Sequence, residues 1–391
     1  MRRRAFVRRT PGVLALPTLL ASDLWPQLTV AVGRPQDLPS LDGKTVINAL
    51  GGLSNPNTRT VGDASGGIAR DRAGGPDPRA VQDAVASGLS AVNVTVGYVA
   101  GDMDPFEHTV AEVARWARWA REDPSLALVL RGPDIDLAKS SGQVGIILGF
   151  QNCAMIADRL ERVDTFADMG VRVTQLTYNV RNQIGDGSME PENRGLTPLG
   201  YEILERLQAR RLLVDLSHSG ERTCLDAARA ARSPLAITHT GCRALTDLPR
   251  NKTDAELRAV ADAGGVVGIY FMPFLKPSGN ASAEDVIQHI EHAIQVCGED
   301  HVGIGTDGGT TGVDDMDAFR AVIRAEVGER AAAGIGATGE SDDVIPMVED
   351  LQGPDQFRKL AALLRARGHE WSRIDKVLGE NFHRLMADVW S

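Results

Sequence analysis

The sequence predicts an α/β fold, a (β/α)8 TIM-type barrel, on three observations. Eight short apolar runs recur along the chain, most of them separated by a stretch with helical spacing. The runs are branched and apolar throughout, the mark of strands buried on both faces of a parallel sheet. Three of the later runs end on a residue able to bind a metal or move a proton: 212–218 (Leu-Leu-Val-Asp-Leu-Ser-His), 235–239 (Leu-Ala-Ile-Thr-His) and 302–307 (Val-Gly-Ile-Gly-Thr-Asp). Parallel strands bring His218, His239 and Asp307 to one carboxyl-terminal rim, where such barrels carry their active sites. Any one of the three reads as readily as a polar strand cap, but three in register favour a site.

The first strand is 45–50, followed by a loop rich in Gly, Asp and Arg over 63–78. A short helix at 79–87 leads into the second strand at 91–96. The next helix, 105–121, sets Phe106, Val110, Val113 and Ala117 at helical spacing. Trp116 and Trp119 lie off that line and read as packing against a neighbouring helix. The third strand is 144–150, with Gln151-Asn152-Cys153 at its tip. The fourth is 171–178, and a polar loop with Asn182, Asp186 and Glu190 follows it. The strands ending at His218 and His239 are fifth and sixth, 266–271 is seventh and 302–307 eighth. Helices at 201–210, 222–232, 254–263 and 283–297 fall between them. Beyond Asp307 come a Gly- and Thr-rich loop, an Ala/Arg/Glu-rich helix and a flexible Gly-Ala-Thr-Gly segment at 336–339. Two closing helices follow, 355–367 and one starting at Ser372. Residues 34–391 therefore read as a single barrel domain.

A chain of 391 residues with 43% hydrophobic side chains has enough apolar material for a sizeable core. Its net charge of −10 argues against a nucleic-acid footprint, which needs a basic face. No run of eighteen apolar residues occurs, so a transmembrane segment is not expected. Cys153, Cys224, Cys242 and Cys297 are too scattered for a disulfide framework. Residues 1–33 read as an export signal or a disordered segment. Arg3-Arg4-Ala5-Phe6-Val7-Arg8 looks like a twin-arginine signal ahead of a modest apolar stretch at 12–20. The expectation is a periplasmic or extracellular protein that folds before export, with a cytoplasmic protein as the alternative.

Two strand-end histidines supply two nitrogen ligands, and Asp307 supplies a carboxylate. Two His plus a carboxylate with an open position is a common catalytic zinc set, in which the metal acidifies a bound water. Asp307 is equally readable as the base that takes a proton from that water. Spacing alone leaves both roles open. His289 and His292 stand three apart on a helix before the eighth strand and read as packing or surface residues. His108, His301, His369 and His383 have no convergent partner in the sequence and read as structural. No G-x-S-x-G elbow or P-loop is present, and Ser219 has no independent support as a nucleophile.

Over residues 45–390 the chain resembles the membrane (renal) dipeptidases, a peptidase family (M19) among the amidohydrolase-like barrels. The segments that carry the likeness begin with Gly195-Leu196-Thr197-Pro198-Leu199-Gly200 and Asp215-Leu216-Ser217-His218. They continue with Thr238-His239, Pro249-Arg250-Asn251 and Gly303-Ile304-Gly305-Thr306-Asp307, and close with Gly379-Glu380-Asn381-Phe382-His383-Arg384. The resemblance implies a metal-dependent hydrolase that cleaves a dipeptide or similar small amide, a proteolytic activity driven by a metal-activated water. It implies that His218 and His239 hold a zinc ion, that Asp307 acts near the water and leaving amine, and that Arg250 grips the substrate carboxylate.

The departures fall on the metal centre. The family's first strand ends in Asp-Gly-His-Asn-Asp-Leu, whose His and second Asp bind a first zinc. Here Leu50 and Gly52 match those two ligands. The zinc-bridging Glu is matched by Gln151, whose amide oxygen carries no charge, and the carbonyl-polarising His by Tyr178. Tyr178 is then the donor to a developing oxyanion. The expectation is one divalent ion per chain rather than two, with Gln151 on the metal side. A homodimer is left open. The alternative is an inactive or repurposed barrel, one that binds a small carboxylate or performs lyase or cyclic-amide chemistry.

Overall fold

A computed structural model describes residues 38–59 and 75–391. The segment read as an export signal, 1–33, lies outside the described residues, as does most of the loop over 63–78. The elements run β1 (Ile47–Gly51), α1 (Pro78–Ala86), β2 (Ala91–Thr95), α2 (Pro105–Glu122), β3 (Leu126–Leu128), α3 (Gly132–Ser140) and β4 (Val144–Phe150). They continue with α4 (Glu161–Asp168), β5 (Val171–Gln175), α5 (Pro198–Ala209), β6 (Leu213–Asp215), α6 (Glu221–Ala230) and β7 (Ala236–Thr240). Then come α7 (Asp254–Asp262), β8 (Val266–Ile269), α8 (Ala283–Cys297), β9 (Val302–Ile304) and α9 (Met316–Ala332). The chain ends with α10 (Gln356–Ala366), α11 (Trp371–Asp375) and α12 (Asn381–Trp390).

The strands pair in parallel in the order β1-β2-β4-β5-β6-β7-β8-β9, which are the eight runs read from the sequence. The ring is nearly closed where β9 meets β1. There the backbone N–H of Asp307 donates to Leu50 O (2.9 Å) and that of Gly52 to Gly308 O (3.2 Å). Asn48 clamps the seam, exchanging side-chain bonds of 2.8 Å with the hydroxyl and the backbone N–H of Thr306.

Three elements are absent from the sequence reading. β3 is an extra three-residue strand that pairs with the first half of β4, off the ring. The helices α3 and α4 are eight or nine residues long, too short to give a clear period. The fifth helix starts at Pro198 rather than 201, because Thr197 caps it by accepting from Gly200 N and proline is tolerated in a first turn.

Alternation along the strands sorts side chains into two layers. Ile47, Ala49, Ala91, Ile147, Val173, Leu213, Ala236 and Val266 share one buried cluster with Phe382, Leu385 and Met386 of α12. The opposite set, including Val92, Ile146, Leu148, Val214, Ile237 and Val267, packs in a second cluster with residues of the surrounding helices. α12 thus stoppers the amino-terminal end of the barrel. That seating depends on Gly303, where a Cβ would lie 2.6 Å from the Phe382 ring. The carboxyl-terminal end is left open for a site.

Candidate active site

β6 and β7 deliver the two histidines on a shared anchor. The buried carboxylate of Asp215 accepts from the backbone N–H groups of Ser217 (3.0 Å) and Thr238 (2.9 Å), and from both of their hydroxyls. Burial raises the Asp215 pKa while those four bonds oppose the rise. The consequence is local: the residues flanking His218 and His239 are tied to one point.

The ring nitrogens are committed one by one. Asn179 donates its amide N–H to Ile335 O (2.8 Å), so its oxygen faces His218 Nδ1 at 2.6 Å and accepts from it. Thr238 donates its hydroxyl to Asp215, so its oxygen is the acceptor for His239 Nδ1 at 2.9 Å. Both Nδ1 atoms then carry the hydrogen, and the Nε2 lone pairs of His218 and His239 converge at 3.1 Å. Burial, reinforced by Arg250, pushes both imidazole pKa values well below the usual range. Neither ring readily accepts a proton to relieve the facing lone pairs. Arg250 Nη2 meets one of them, donating to His218 Nε2 at 2.9 Å, while Nη1 donates to Ser217 O at 2.7 Å.

Asp307 follows β9 and stands in the left-handed backbone region at φ 59°. That conformation costs an L residue roughly 1–2 kcal/mol, and strain of this kind concentrates at functional sites. The carboxyl reaches the cavity but is recessed, so burial raises its pKa to about 6 against the opposing pull of Arg250 and Arg330. No described side chain bonds to it.

A cavity of about 420 Å³ opens above these groups, within the usual range for small-molecule sites. Tyr178, His218, Arg250, Asp307 and Gln151 all line it, while His239 lies behind His218. The Tyr178 ring stacks on His218 with centroids 4.2 Å apart. Gln151 donates to Thr95 Oγ1 at 2.7 Å, which leaves its amide oxygen for other partners. Leu50 and Gly52 also line the cavity, beside the end of β1.

Several lining residues escaped the sequence reading. Arg330 on α9 pairs with Glu340 through bonds of 2.8 and 2.9 Å and approaches the Tyr178 hydroxyl at 3.5 Å. Glu340 lies just past the segment read only as a flexible loop. His108 and Trp116 of α2 reach the cavity wall, although the one was read as structural and the other as helix packing. Asn179 carries no signal of its own beyond its place next to Tyr178.

A family model for membrane dipeptidases, peptidase family M19, matches residues 78–331. The chain belongs to this family. It is a metallodipeptidase-like hydrolase on a parallel eight-stranded barrel. A Klebsiella pneumoniae protein described as an uncharacterized protein in the pqqA 5' region is 27% identical over 276 residues, which cover 68% of this chain and 89% of that one. An uncharacterized dipeptidase of Schizosaccharomyces pombe is 29% identical over 197 residues. That match spans 47% of either chain, about half the length of the relative. Among solved structures, an amidohydrolase from Pseudomonas aeruginosa aligns with a TM-score of 0.71 at 29% identity, over 89% of this chain and 97% of that one. No helix among the described residues is long and apolar enough to cross a membrane.

M19 dipeptidases depend on metal, and the residues present fit a metal only in part. Lone pairs 3.1 Å apart lie within the span of two Zn–N bonds of about 2.0–2.1 Å, so His218 and His239 suit one ion. Among the described residues no group of three or more His, Cys, Asp or Glu side chains converges to hold a metal. Asp307 therefore does not complete a three-ligand set with the histidines. At the first-metal positions Leu50 and Gly52 offer no donor atom, and a two-ion centre does not fit.

Proposed function

We propose that this M19 member hydrolyses a dipeptide or similar small amide bearing a free carboxylate, with one zinc-type ion per chain. The observation that carries the reading is the pair of buried, pre-oriented Nε2 atoms at a cavity that Asp307 also lines, its pKa raised by burial to about 6. Held by His218 and His239, such an ion would supply Lewis acidity and acidify a water. Gln151 stands on the same cavity wall with a neutral oxygen to offer. Arg250 is the substrate anchor, because a planar guanidinium matches a carboxylate with two parallel bonds. Asp307 takes a proton from the attacking water and returns it to the departing amine nitrogen, work suited to a pKa close to the operating pH. Tyr178 accepts from Arg330, which leaves its own hydroxyl hydrogen to donate to the carbonyl oxygen as negative charge develops there.

The test is turnover of small amides by the metal-loaded protein, compared with Asp307→Asn. Hydrolysis should fall by roughly 10²–10⁴-fold in the variant while bound metal is retained. Parallel loss of metal would make Asp307 a ligand. A second reading, a barrel that binds a small carboxylate without cleaving it, is favoured by one observation. Arg250 donates to the very nitrogen that a metal needs. A protein that takes up no metal yet binds carboxylates would establish that reading. Export through residues 1–33 belongs to the proposal and is tested by cell fractionation.

A further inference from the structure

We infer that the preferred substrates are N-acylated amino acids, amides whose nitrogen-side residue carries a free carboxylate and whose acyl side is apolar and bears no ammonium. The inference rests on the hydrolase reading and narrows its substrate. Its first support is the charge inventory of the cavity. Of the acidic side chains lining it, Glu112 pairs with Arg115, Glu326 with Arg59 at 3.4 Å, and Glu340 with Arg330 at 2.8 Å. Asp307 is left, and under the hydrolase reading its carboxylate is committed to the attacking water and the leaving nitrogen instead of to a substrate ammonium. Arg250 is the reverse case. It is buried, its exposure only 2%, and its guanidinium donates to Ser217 O and His218 Nε2 and to no carboxylate of the described residues. A buried charge without an opposite partner is costly, and a substrate carboxylate removes that cost. With Asp307 occupied by the water, a free ammonium on the acyl side finds no second unpaired carboxylate among the described lining residues.

The second support is the apolar wall where family members place their first metal. Leu50 stands there, 3% exposed, and a Cβ built on neighbouring Gly52 would meet nothing within 4 Å. Met272 and Phe274 after β8, with Phe319 and Ile323 of α9, extend the apolar lining of the same cavity. This space accepts an alkyl or aryl group and gives an ammonium nothing in exchange for its water. Hydrolysis of such a substrate is balanced without a further reactant. Water adds, the C–N bond breaks, the acyl carbon takes the hydroxyl to become a carboxylic acid, and the nitrogen leaves with the proton as a free amino acid.

The experiment uses the full metal-loaded chain with size-matched pairs, N-butanoyl-alanine against alanyl-alanine and N-octanoyl-alanine as a longer probe, each in both alanine configurations. The expected result is a kcat/KM at least about tenfold higher for the acylated member. It should also rise about fourfold for each added methylene that reaches the wall, the fold-change equivalent of burying one such group. In Leu50→Asp, a carboxylate on the wall should shift the preference toward alanyl-alanine by a similar factor. A dipeptide cleaved as well as or better than its acylated match overturns the inference and leaves the hydrolase reading standing. Cleavage of neither overturns the hydrolase reading. Calorimetric binding of the same pairs then decides the inference, and equal or tighter binding of alanyl-alanine overturns it.

Discussion

Arg250, the two histidines and Asp307 form one electrostatic unit, so changing any of them has effects beyond its own contact. Arg250→Lys keeps the charge but loses the planar fork, and with it the simultaneous bonds to Ser217 O and His218 Nε2. Affinity for carboxylate-bearing ligands should fall tenfold or more, about the 1.5–3 kcal/mol of one bond to a charged group, with little change in thermal stability. Collapse of the fold would instead make Arg250 a structural residue. For Asp307 the sign of the pH effect follows from a pKa raised from 3.8 to about 6. As a base it must be ionised, so kcat/KM should rise with pH through an inflection near 6, and that limb should vanish in Asp307→Asn. Stability runs the other way. The fold disfavours the ionised form, a cost absent below pH 3.8 and complete above about 6. Asp307→Asn should therefore unfold at higher denaturant than the native protein at pH 8, with the gap closing toward pH 4. His218, His239 and Asp307 are legible from their places at strand tips, whereas Arg250, Tyr178 and Gln151 are singled out only through the resemblance to the dipeptidases. Arg330 and Glu340 are legible by neither route, because they reach the cavity from an excursion after β9 that has no strand to mark it.

At the level of elements, the eight ring strands were legible because a strand buried on both faces must be apolar at nearly every position. β3 was not legible, since three residues give no pattern, and α3 and α4 are too short for a period to emerge. Two glycines at the carboxyl-terminal rim differ in a way that sequence alone does not reveal. A Cβ on Gly305, at the end of β9, would stand 2.0 Å from the backbone oxygen of Thr238, which cannot rotate away. Gly305→Ala must push β9 away from the strand that carries His239, and overpacking of this kind costs about 1–3 kcal/mol or more. Gly52, across the seam at the end of β1, faces open cavity. Urea midpoints should accordingly drop for Gly305→Ala and stay near native for Gly52→Ala. Equal destabilisation by both would mean that the β1 end is packed rather than open, and the apolar subsite would lose its room.

For the molecule as a whole, the barrel is closed by its own side chains away from the metal-binding rim: α12 fills one end, and Asn48 with Thr306 sews the seam. A single ion at the other end then acts on stability by mass action instead of serving as a folding core. Binding only the folded state, it stabilises by RT ln(1 + [metal]/Kd), about 2.7 kcal/mol at a hundredfold excess over Kd. Unfolding entropy of about 2.1 cal/mol/K per residue over a chain of this size turns that into a melting shift of roughly 3 °C. Chelation should thus lower Tm by a few degrees and leave a folded protein, and readdition of zinc should restore it. Elemental analysis of the loaded protein should give close to one equivalent per chain. His218→Ala should give none and should melt at the same temperature with or without chelator. Two equivalents in the native protein would mean that donors outside the described residues, or a rearranged Gln151, replace the side chains that Leu50 and Gly52 lack. An unchanged Tm, with zinc absent throughout, would mean that Arg250 holds the His218 nitrogen permanently and that the rim binds carboxylates rather than cutting amides.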